Sequence, residues 1–288
     1  MNSISLEKMQ LPNLIIVGPP KTGTTSIFNW LNAHPECFGT QQKETHFFAD
    51  HINSYNQSCN YIEHGMSAYN RLFSEVENER IIMEATAGYI DSTNAFEAIP
   101  SLDSNPLLFF IYRNPVERIW SEYVFMKYKT KDFKGDLMEY LGYDGNRFSG
   151  KNFERGKIVS LINKWIEKVG RDRVYVFDFS DLKRPLYLMR MMCGILKIES
   201  GFYDSFSFEK LNESYRVRNR AFHLSAMSIK KIIPKKMTQF ASEIYFKLNG
   251  SSLPEITAKE KHILSELGKH YADQDARNLL TPIVTLDN

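Results

Sequence analysis

A short glycine-containing segment near the start of the chain has the residue types that bind phosphate. Gly18 to Thr25 reads GPPKTGTT and lies between an apolar run, Leu14 to Val17, and a stretch with helical periodicity. Glycines let the backbone turn tightly, so amide N–H groups and the positive end of the helix dipole converge on an anion, and threonine hydroxyls add donors. The segment therefore predicts a phosphate site at the end of the first strand.

The position of the lysine distinguishes this loop from that of nucleotide triphosphatases. A Walker A loop has lysine directly after its second glycine, where this chain has Thr24, whereas Lys21 lies inside the loop. A triphosphatase also needs magnesium held by a Ser or Thr and by an acidic strand end, and no apolar strand here ends in a clear aspartate of that kind. The pattern favours a ligand that places a single phosphate in this loop and needs no metal ion.

A second anion site is indicated where the apolar run Leu107 to Tyr112 ends. Arg113 follows this run, and Ser121 comes eight residues later in a helical stretch that starts at Pro115. A guanidinium at a strand end can bind phosphate oxygens through two N–H groups, and a hydroxyl two helical turns on can lie on the same face. Taken alone, an Arg-Asn-Pro helix start is more often an N-terminal cap with a surface ion pair. Together with the loop at Lys21, it fits one nucleotide with phosphates at both ends.

The elements that must position these residues alternate between strand and helix. Four apolar runs predict buried strands, Asn13 to Val17, Ile81 to Ala85, Leu107 to Tyr112 and Arg173 to Phe177. Helical periodicity marks Thr24 to Ala33, Pro115 to Tyr128, Phe153 to Val169 and Ala258 to Tyr271. The alternation predicts an α/β fold with three layers, a central parallel sheet flanked by helices, and ligands at the carboxyl ends of the strands. Two polar stretches, Lys129 to Gly150 and Ser200 to Arg220, are predicted as surface loops.

Composition sets the wider limits. The 288 residues are 43% hydrophobic, enough for one large domain over 1–288. The segments that carry the motifs predict a ligand-binding core at about 11–220, followed by a helical region at about 221–288. The formal net charge of +2 lacks the basic field of a nucleic-acid binder, so no nucleic-acid partner is expected. The longest apolar run is far shorter than the about 20 residues that span a bilayer, so no transmembrane segment is expected and membrane contact would be peripheral.

Cysteine usage and the first residues predict the compartment. Cys37, Cys59 and Cys193 are odd in number and have neither CxxC spacing nor a nearby histidine pair, which argues against a disulfide framework and a zinc site. Residues 1–10 are polar, unlike a secretory signal. A reducing cytoplasm is the expected location, and no oligomeric state is predicted.

Two motifs resemble the signatures of sulfotransferases that use 3′-phosphoadenosine 5′-phosphosulfate (PAPS). The phosphate loop resembles PKxGTTxL, and Arg113 to Tyr123 resembles RxPxxRxxSxY. The resemblance implies a P-loop-type fold, Arg113 and Ser121 on the 3′-phosphate, 3′,5′-adenosine bisphosphate as product, and no metal. For the 5′-phosphosulfate it implies a binding loop made of Pro20, Lys21, Thr22, Gly23, Thr24, Thr25 and Ser26.

The same resemblance supplies candidates for the chemistry. Gln42 to Phe48 resembles the KExHFF element of glycan sulfotransferases, including those acting on heparan sulfate, which implies Glu44 as the base. His46 is the alternative, because the phenol and alcohol sulfotransferases of this fold use histidine. Lys21 would stabilise the transferring group and the departing phosphate.

Further segments resemble elements of the family near the acceptor and the donor. Glu84 to Tyr89 resembles an E[KA][TS]PxY stretch, in which Thr86 would line the cleft and Glu84 would be structural. Residues 212–219 resemble an NxS…R element of bacterial members, which implies Arg218 as a further cation for the 3′-phosphate. Clustered arginines of this kind also form a solvated basic face.

The predicted function is sulfuryl transfer to a hydroxyl or amine of a small molecule or glycan. A saccharide acceptor is favoured, with a phenol, a lipid or a natural-product alcohol as alternatives. The competing functions are a P-loop kinase or nucleotide triphosphatase and a noncatalytic glycan or membrane-surface module. The basic run Lys230 to Lys236 is compatible with a role at a membrane surface, but such a run is more often the solvated charged end of a helix.

Overall fold

The chain forms two compact units, each with a core of its own. A computed structural model describes residues 10–208, 216–219, 222, 225–226, 245, 248–274 and 278–281. The first unit comprises Met1–Arg113, Ile158–Leu211 and Gln274–Asn288, and the second comprises Asn114–Lys157 and Asn212–Asp273. The domain boundary predicted at about residue 220 stays a prediction.

The first unit is built on a five-stranded parallel sheet. Its strands are β1 (Leu14–Gly18), β2 (Cys37–Gly39), β3 (Ile81–Ala85), β4 (Leu107–Tyr112) and β5 (Val174–Asp178). They lie in the order β2-β3-β1-β4-β5, so the strands that precede the phosphate loop and Arg113 are neighbours. The structure confirms the α/β prediction and the four predicted strands. It adds β2, whose three residues are too short an apolar run to be recognised.

The central strands are apolar throughout because both faces of the sheet are covered. Leu14 and Ile16 of β1 belong to one core cluster, whereas Ile15 and Val17 belong to the other. Successive side chains of a strand point to opposite faces, so one fully buried strand contributes to both cores. This is the physical reason for the unbroken apolar runs in the sequence.

Helices complete the two outer layers. On the first face lie α1 (Thr24–Asn32) and a helix at Pro185–Leu196, and on the second lie the helices Thr93–Ala98 and Ile158–Val169. In chain order, with the short Tyr61–His64 helix as α2, Thr93–Ala98 is α3, Ile158–Val169 is α7 and Pro185–Leu196 is α8. Helical periodicity does not predict α8, because apolar residues occur on most sides of it rather than in one stripe.

In its described residues, the second unit contains helices and a two-stranded antiparallel sheet. Its elements are α4 (Pro115–Val124), which continues as a π-helix over Phe125–Thr130, then α5 (Leu137–Leu141), α6 (Lys151–Glu154), β6 (Arg216–Val217), β7 (Gly250–Ser251) and α9 (Ala258–His270). Asn114 caps α4, since its side chain accepts the amides of Val116 and Glu117 at 3.0 and 3.2 Å. Ile119, Tyr123 and Leu267 are fully buried in the core of this unit.

Three predicted boundaries are wrong in detail. The stretch Lys129 to Gly150 is not only a loop, because it contains α5 with Leu137 and Leu141 buried. The helix predicted from Phe153 to Val169 is two helices separated at Gly156, where an added Cβ would lie 2.1 Å from the hydroxyl of Tyr271. The loop predicted from Ser200 to Arg220 begins as a 3-10 helix, Gly201–Ser205, and includes β6.

Several predictions concern residues that the structure does not describe. The polar residues 1–9, the segment 212–214 of the NxS element and the basic run 230–236 all lie outside the described residues. Within the described ranges, no helix has both the length and the apolarity that crossing a membrane requires.

Gly18 yields a prediction about stability. Its φ of +121° disfavours a side chain, and an added Cβ would lie 2.2 Å from the carbonyl oxygen of Ala87. Gly18→Ala should lower the free energy of unfolding by about 3 kcal/mol through strain and overlap. Gly88→Ala is the matched control, because nothing lies within 4 Å of its added Cβ, and it should change this free energy by less than about 0.5 kcal/mol. Urea denaturation measures both, and equal midpoints would contradict the packing described.

Candidate active site

The phosphate loop leaves β1 at Gly18 and enters α1 at Thr24. Lys21 and Gly23 have left-handed backbone angles, with φ of +68° and +81°. Such an angle costs a residue with a side chain about 1 kcal/mol, so the structure around Lys21 must hold it there. Gly23 is the N-cap of α1 and has no side chain to occupy the first amides of the helix. The segment therefore has the backbone of an anion-binding loop.

The side chains of the predicted loop residues differ in their surroundings. Thr22 is fully buried, and its hydroxyl donates to the carbonyl of Pro19 at 2.7 Å, so it shapes the loop. Thr24 and Ser26 are also buried, whereas Pro20, Lys21, Gly23 and Thr25 are partly exposed. An added Cβ at Gly23 would lie 2.4 Å from Cδ1 of Leu182, so the loop also packs closely on the 3-10 helix Phe179–Lys183.

Arg113 extends back to the phosphate loop from the end of β4. Its guanidinium donates to the carbonyl of Lys21 at 3.0 Å and lies 4.3 Å above the ring centre of Phe179. A hydrogen bond and an aromatic face together fix the orientation of a planar cation. The structure thus brings Arg113 and Lys21, predicted as parts of two anion sites, to one edge of the sheet.

Two further predicted donor residues belong to the second unit. Ser121 is partly buried on α4. Arg218 has an exposed side chain, and its backbone N–H donates to the carbonyl of Asn249 at 2.9 Å while its carbonyl accepts from Lys131 Nζ at 2.9 Å. The backbone of Arg218 is therefore anchored within that unit.

Glu44 lies beside the residue that contacts the start of the phosphate loop. Its Oε2 accepts the amide of Ala87 at 2.9 Å, and its Oε1 forms an ion pair with Lys43. The carbonyl of the same Ala87 packs against Gly18. Because one residue contacts both, the Glu44 carboxylate and the phosphate loop have a fixed spacing. The Glu44 side chain is 30% exposed, so it can be reached by an acceptor.

His46, the alternative base, is stacked on an aromatic ring. Its imidazole lies 5.0 Å from the ring of Tyr55 with an interplanar angle of 29°. Burial lowers the pKa of His46 below its ordinary value, against the smaller opposing effect of the Glu44 carboxylate. The imidazole is therefore neutral at neutral pH. Tyr55 is 60% exposed, so its ring is also accessible to ligands.

The backbone is strained at both candidate bases. Glu44 and His46 have φ of +61° and +53°, and neither is glycine. Each costs about 1 kcal/mol in isolation, so contacts elsewhere must hold the segment in place. Left-handed residues held in this way occur often at functional sites.

Behind this segment lies Glu84, which is fully buried on β3. Its carboxylate accepts hydrogen bonds from Thr45, Thr86, Tyr89 and Tyr69, with Thr86 at 3.0 Å and Tyr89 at 2.7 Å. Burial raises the pKa of Glu84, while these hydroxyl groups act in the opposite direction. Thr86 is itself fully buried, so the prediction that it lines an acceptor cleft is wrong.

No sequence pattern predicts several of the contacts described above. Tyr55, Tyr69 and Phe179 carry no motif, and Ala87 acts through its backbone, which no side-chain pattern reveals. The described residues contain no group of three or more His, Cys, Asp or Glu that could hold a metal ion.

Several known proteins are similar in sequence to this chain. One relative is the membrane-associated sulfotransferase kil1 of Dictyostelium discoideum, 34% identical over 45% of this chain and 26% of that protein. Another is the bifunctional heparan sulfate N-deacetylase/N-sulfotransferase 1 of Caenorhabditis elegans, 25% identical over 63% of this chain and 21% of the relative. Human carbohydrate sulfotransferase 15 is 25% identical over 70% of this chain and 44% of its own length. The chain thus spans less than half the length of each of these three relatives.

A similar solved structure shows the fold of this chain, and a family model shows its family. A crystal structure of a sulfotransferase from Alicyclobacillus acidocaldarius superimposes with a TM-score of 0.58 at 22% identity, covering 76% of this chain and 91% of that one. The similarity shows the same fold, a parallel sheet flanked by helices. The model of the sulfotransferase domain matches residues 11–240, which include both phosphate motifs and Glu44. The chain therefore belongs to the sulfotransferase domain family.

Proposed function

We propose that this chain transfers a sulfuryl group from PAPS to a hydroxyl or amine of a saccharide, leaving 3′,5′-adenosine bisphosphate. One observation carries the proposal. The guanidinium of Arg113 at the end of β4 donates to the carbonyl of Lys21, in the loop that follows β1. The residues that follow two neighbouring strands, each with a cationic side chain, thus meet at one sheet edge, as a nucleotide with two phosphate ends requires.

The donor-binding roles follow from the chemistry of the residues. The loop amides, the start of α1 and the ammonium of Lys21 bind the 5′-phosphosulfate. Arg113 binds the 3′-phosphate. The roles that the resemblance implies for Ser121 and Arg218 at this phosphate stay predictions. Lys21 also stabilises the negative charge that grows on the bridging phosphate oxygen as its bond to sulfur breaks.

Glu44 is the base in this proposal. The acceptor oxygen or nitrogen forms a bond to sulfur, the bond from sulfur to the phosphate oxygen breaks, and the acceptor proton passes to the Glu44 carboxylate. The hydrogen bond from Ala87 and the ion pair with Lys43 orient this carboxylate. In-line displacement needs a base held close to the donor, and the contacts of Ala87 with both Glu44 and Gly18 provide that spacing.

A saccharide acceptor is supported by the surroundings of the base. Tyr55 presents an exposed aromatic face next to His46, and the C–H groups of a sugar ring pack well on such a face. Two of the relatives are named for heparan sulfate and carbohydrate sulfation. These observations favour a sugar over a phenol, a lipid or a natural-product alcohol.

Nucleotide binding separates this function from that of a P-loop kinase. At 100 times its Kd, metal-free 3′,5′-adenosine bisphosphate should stabilise the protein by about 2.7 kcal/mol, measured as a raised Tm. Lys21→Ala and Arg113→Ala should each reduce the rise at the same ligand concentration, because each removes a phosphate contact. Lys168→Ala, which breaks a surface pair with Glu97, should leave it unchanged. A larger rise with Mg-ATP would favour the kinase instead.

The base is tested by single substitutions at pH 7.5, where the lowered pKa of His46 leaves its imidazole neutral and able to accept a proton. Glu44→Gln should lower kcat by about 10²- to 10⁴-fold while the Tm rise with 3′,5′-adenosine bisphosphate is retained. Glu97→Gln, on the exposed surface, is the control and should keep full activity. If Glu44→Gln is fully active and His46→Gln is not, His46 is the base.

The acceptor class is tested by labelled sulfate transfer from PAPS to a panel of saccharides, phenols and alcohols. Saccharides should be sulfated, and Tyr55→Ala should raise the acceptor KM about tenfold without changing the donor KM, because the aromatic face is lost. Tyr55→Phe keeps that face and should behave as the wild type. Transfer to phenols alone would exclude the sugar assignment, and transfer to no compound, with nucleotide binding retained, would favour a noncatalytic module.

A further inference from the structure

The buried carboxylate of Glu84 organises a set of hydroxyl groups that we call the Glu84 cluster. Its members are Glu84, Thr45, Tyr69, Thr86 and Tyr89, all buried. Oε1 of Glu84 accepts from Thr45, Thr86 and Tyr89, and Oε2 accepts from Tyr69. An ionised carboxylate only accepts hydrogen bonds, so all four hydroxyl hydrogens can point towards it. Hydrogen bonds to a charged acceptor in a dry environment are strong, which fixes the orientation of each hydroxyl.

Three of these hydroxyls in turn accept consecutive backbone amides of the segment that carries the candidate bases. Each hydroxyl uses its hydrogen on Glu84 and a lone pair on an amide. The three pairs are His46 N–H to Thr86 at 3.4 Å, Phe47 N–H to Thr45 at 3.2 Å and Phe48 N–H to Tyr89 at 3.2 Å. The result is three parallel connections that run from backbone amide to hydroxyl to carboxylate.

The hydroxyls can donate in these connections only as long as the oxygens of Glu84 accept hydrogen bonds. If an oxygen of Glu84 were replaced by a donor group, a hydroxyl would have to turn its hydrogen elsewhere and could lose its amide. The segment would then lack support where it is most strained, since Glu44 and His46 flank Thr45 with left-handed backbone angles. The same buried carboxylate therefore contacts, through these hydroxyls, the backbone that carries both candidate bases.

We propose that Glu84 is a positioning residue for sulfuryl transfer: its carboxylate oxygens, which accept hydrogen bonds from Thr45, Thr86 and Tyr89, hold the backbone that presents the proton-accepting side chain. This inference rests on the proposed function and assigns to Glu84 a role in the reaction without contact with the acceptor or the donor. Tyr69 differs from the other members because its hydroxyl bonds Glu84 but accepts no amide of the segment in the described part of the chain.

Glu84→Gln tests the role because it keeps the volume and replaces one acceptor oxygen by a donor. It should lower kcat at least tenfold with the donor KM unchanged. Tyr69→Phe is the matched control, since it removes a hydrogen bond to the same carboxylate without releasing an amide, and kcat should stay within threefold. In a Glu44→Gln background, Glu84→Gln should cause no further loss, because residues that act through one group are not additive. An equal fold loss in both backgrounds would overturn the positioning role.

Amide hydrogen exchange tests the same proposal independently of activity. In Glu84→Gln the amides of His46, Phe47 and Phe48 should exchange at least tenfold faster, while those of β1 and β4 exchange as in the wild type. Unchanged exchange at the three amides would overturn the proposal. If exchange responds but no acceptor is sulfated, the proposed function fails while the support of this segment by Glu84 stands.

Should Glu84→Gln fail to fold, Thr86→Val provides the test, because it removes one connection and leaves the carboxylate in place. It should speed exchange at His46 and lower kcat at least threefold. Thr86→Ser retains the hydroxyl and should restore both to wild-type values. Equal behaviour of the two substitutions would assign the effect to packing and overturn the proposal.

Discussion

The candidate site depends on the close contact between the start of the phosphate loop and the turn that follows β3. The carbonyl of Ala87 approaches Gly18 so closely that no side chain fits there, and the amide of Ala87 donates to Glu44. One peptide segment therefore sets both the position of the loop and the orientation of the candidate base. A backbone contact of this kind gives a fixed spacing, because it involves no rotatable side chain on the Ala87 side.

The charged groups on the two sides of the contact between Ala87 and Gly18 have different kinds of partner. On the donor side, the guanidinium of Arg113 is held by a carbonyl and by the ring of Phe179, so it can remain charged and oriented before an anion binds. On the other side, the buried Glu84 is surrounded by neutral hydroxyl groups. Hydroxyl groups stabilise a carboxylate by hydrogen bonding without bringing a cation next to it.

The predictability of the fold follows from the depth of burial. Strands buried on both faces, such as Leu107–Tyr112, are unbroken apolar runs and were found. The three-residue β2 and the broadly apolar α8 lack a distinctive period, and α5 is hidden in a polar stretch, so these were missed or misassigned. The break in the predicted helix at Gly156 cannot be predicted from the local sequence either. The side chain that fills the space beside Gly156 is that of Tyr271, which is distant in sequence.

The local chemistry of this protein can be predicted from its sequence: a glycine-containing loop with Lys21 between strand and helix, Arg113 at a strand end, and the segment with Glu44 and His46. These features depend on neighbours along the chain. Other features follow from packing between distant parts of the chain: Arg113 reaches Lys21, Thr86 is buried rather than facing an acceptor, and Glu84 supports the base segment. The reason is physical, since each of these contacts joins residues about 40 or more positions apart or depends on burial that parallel strand pairing creates.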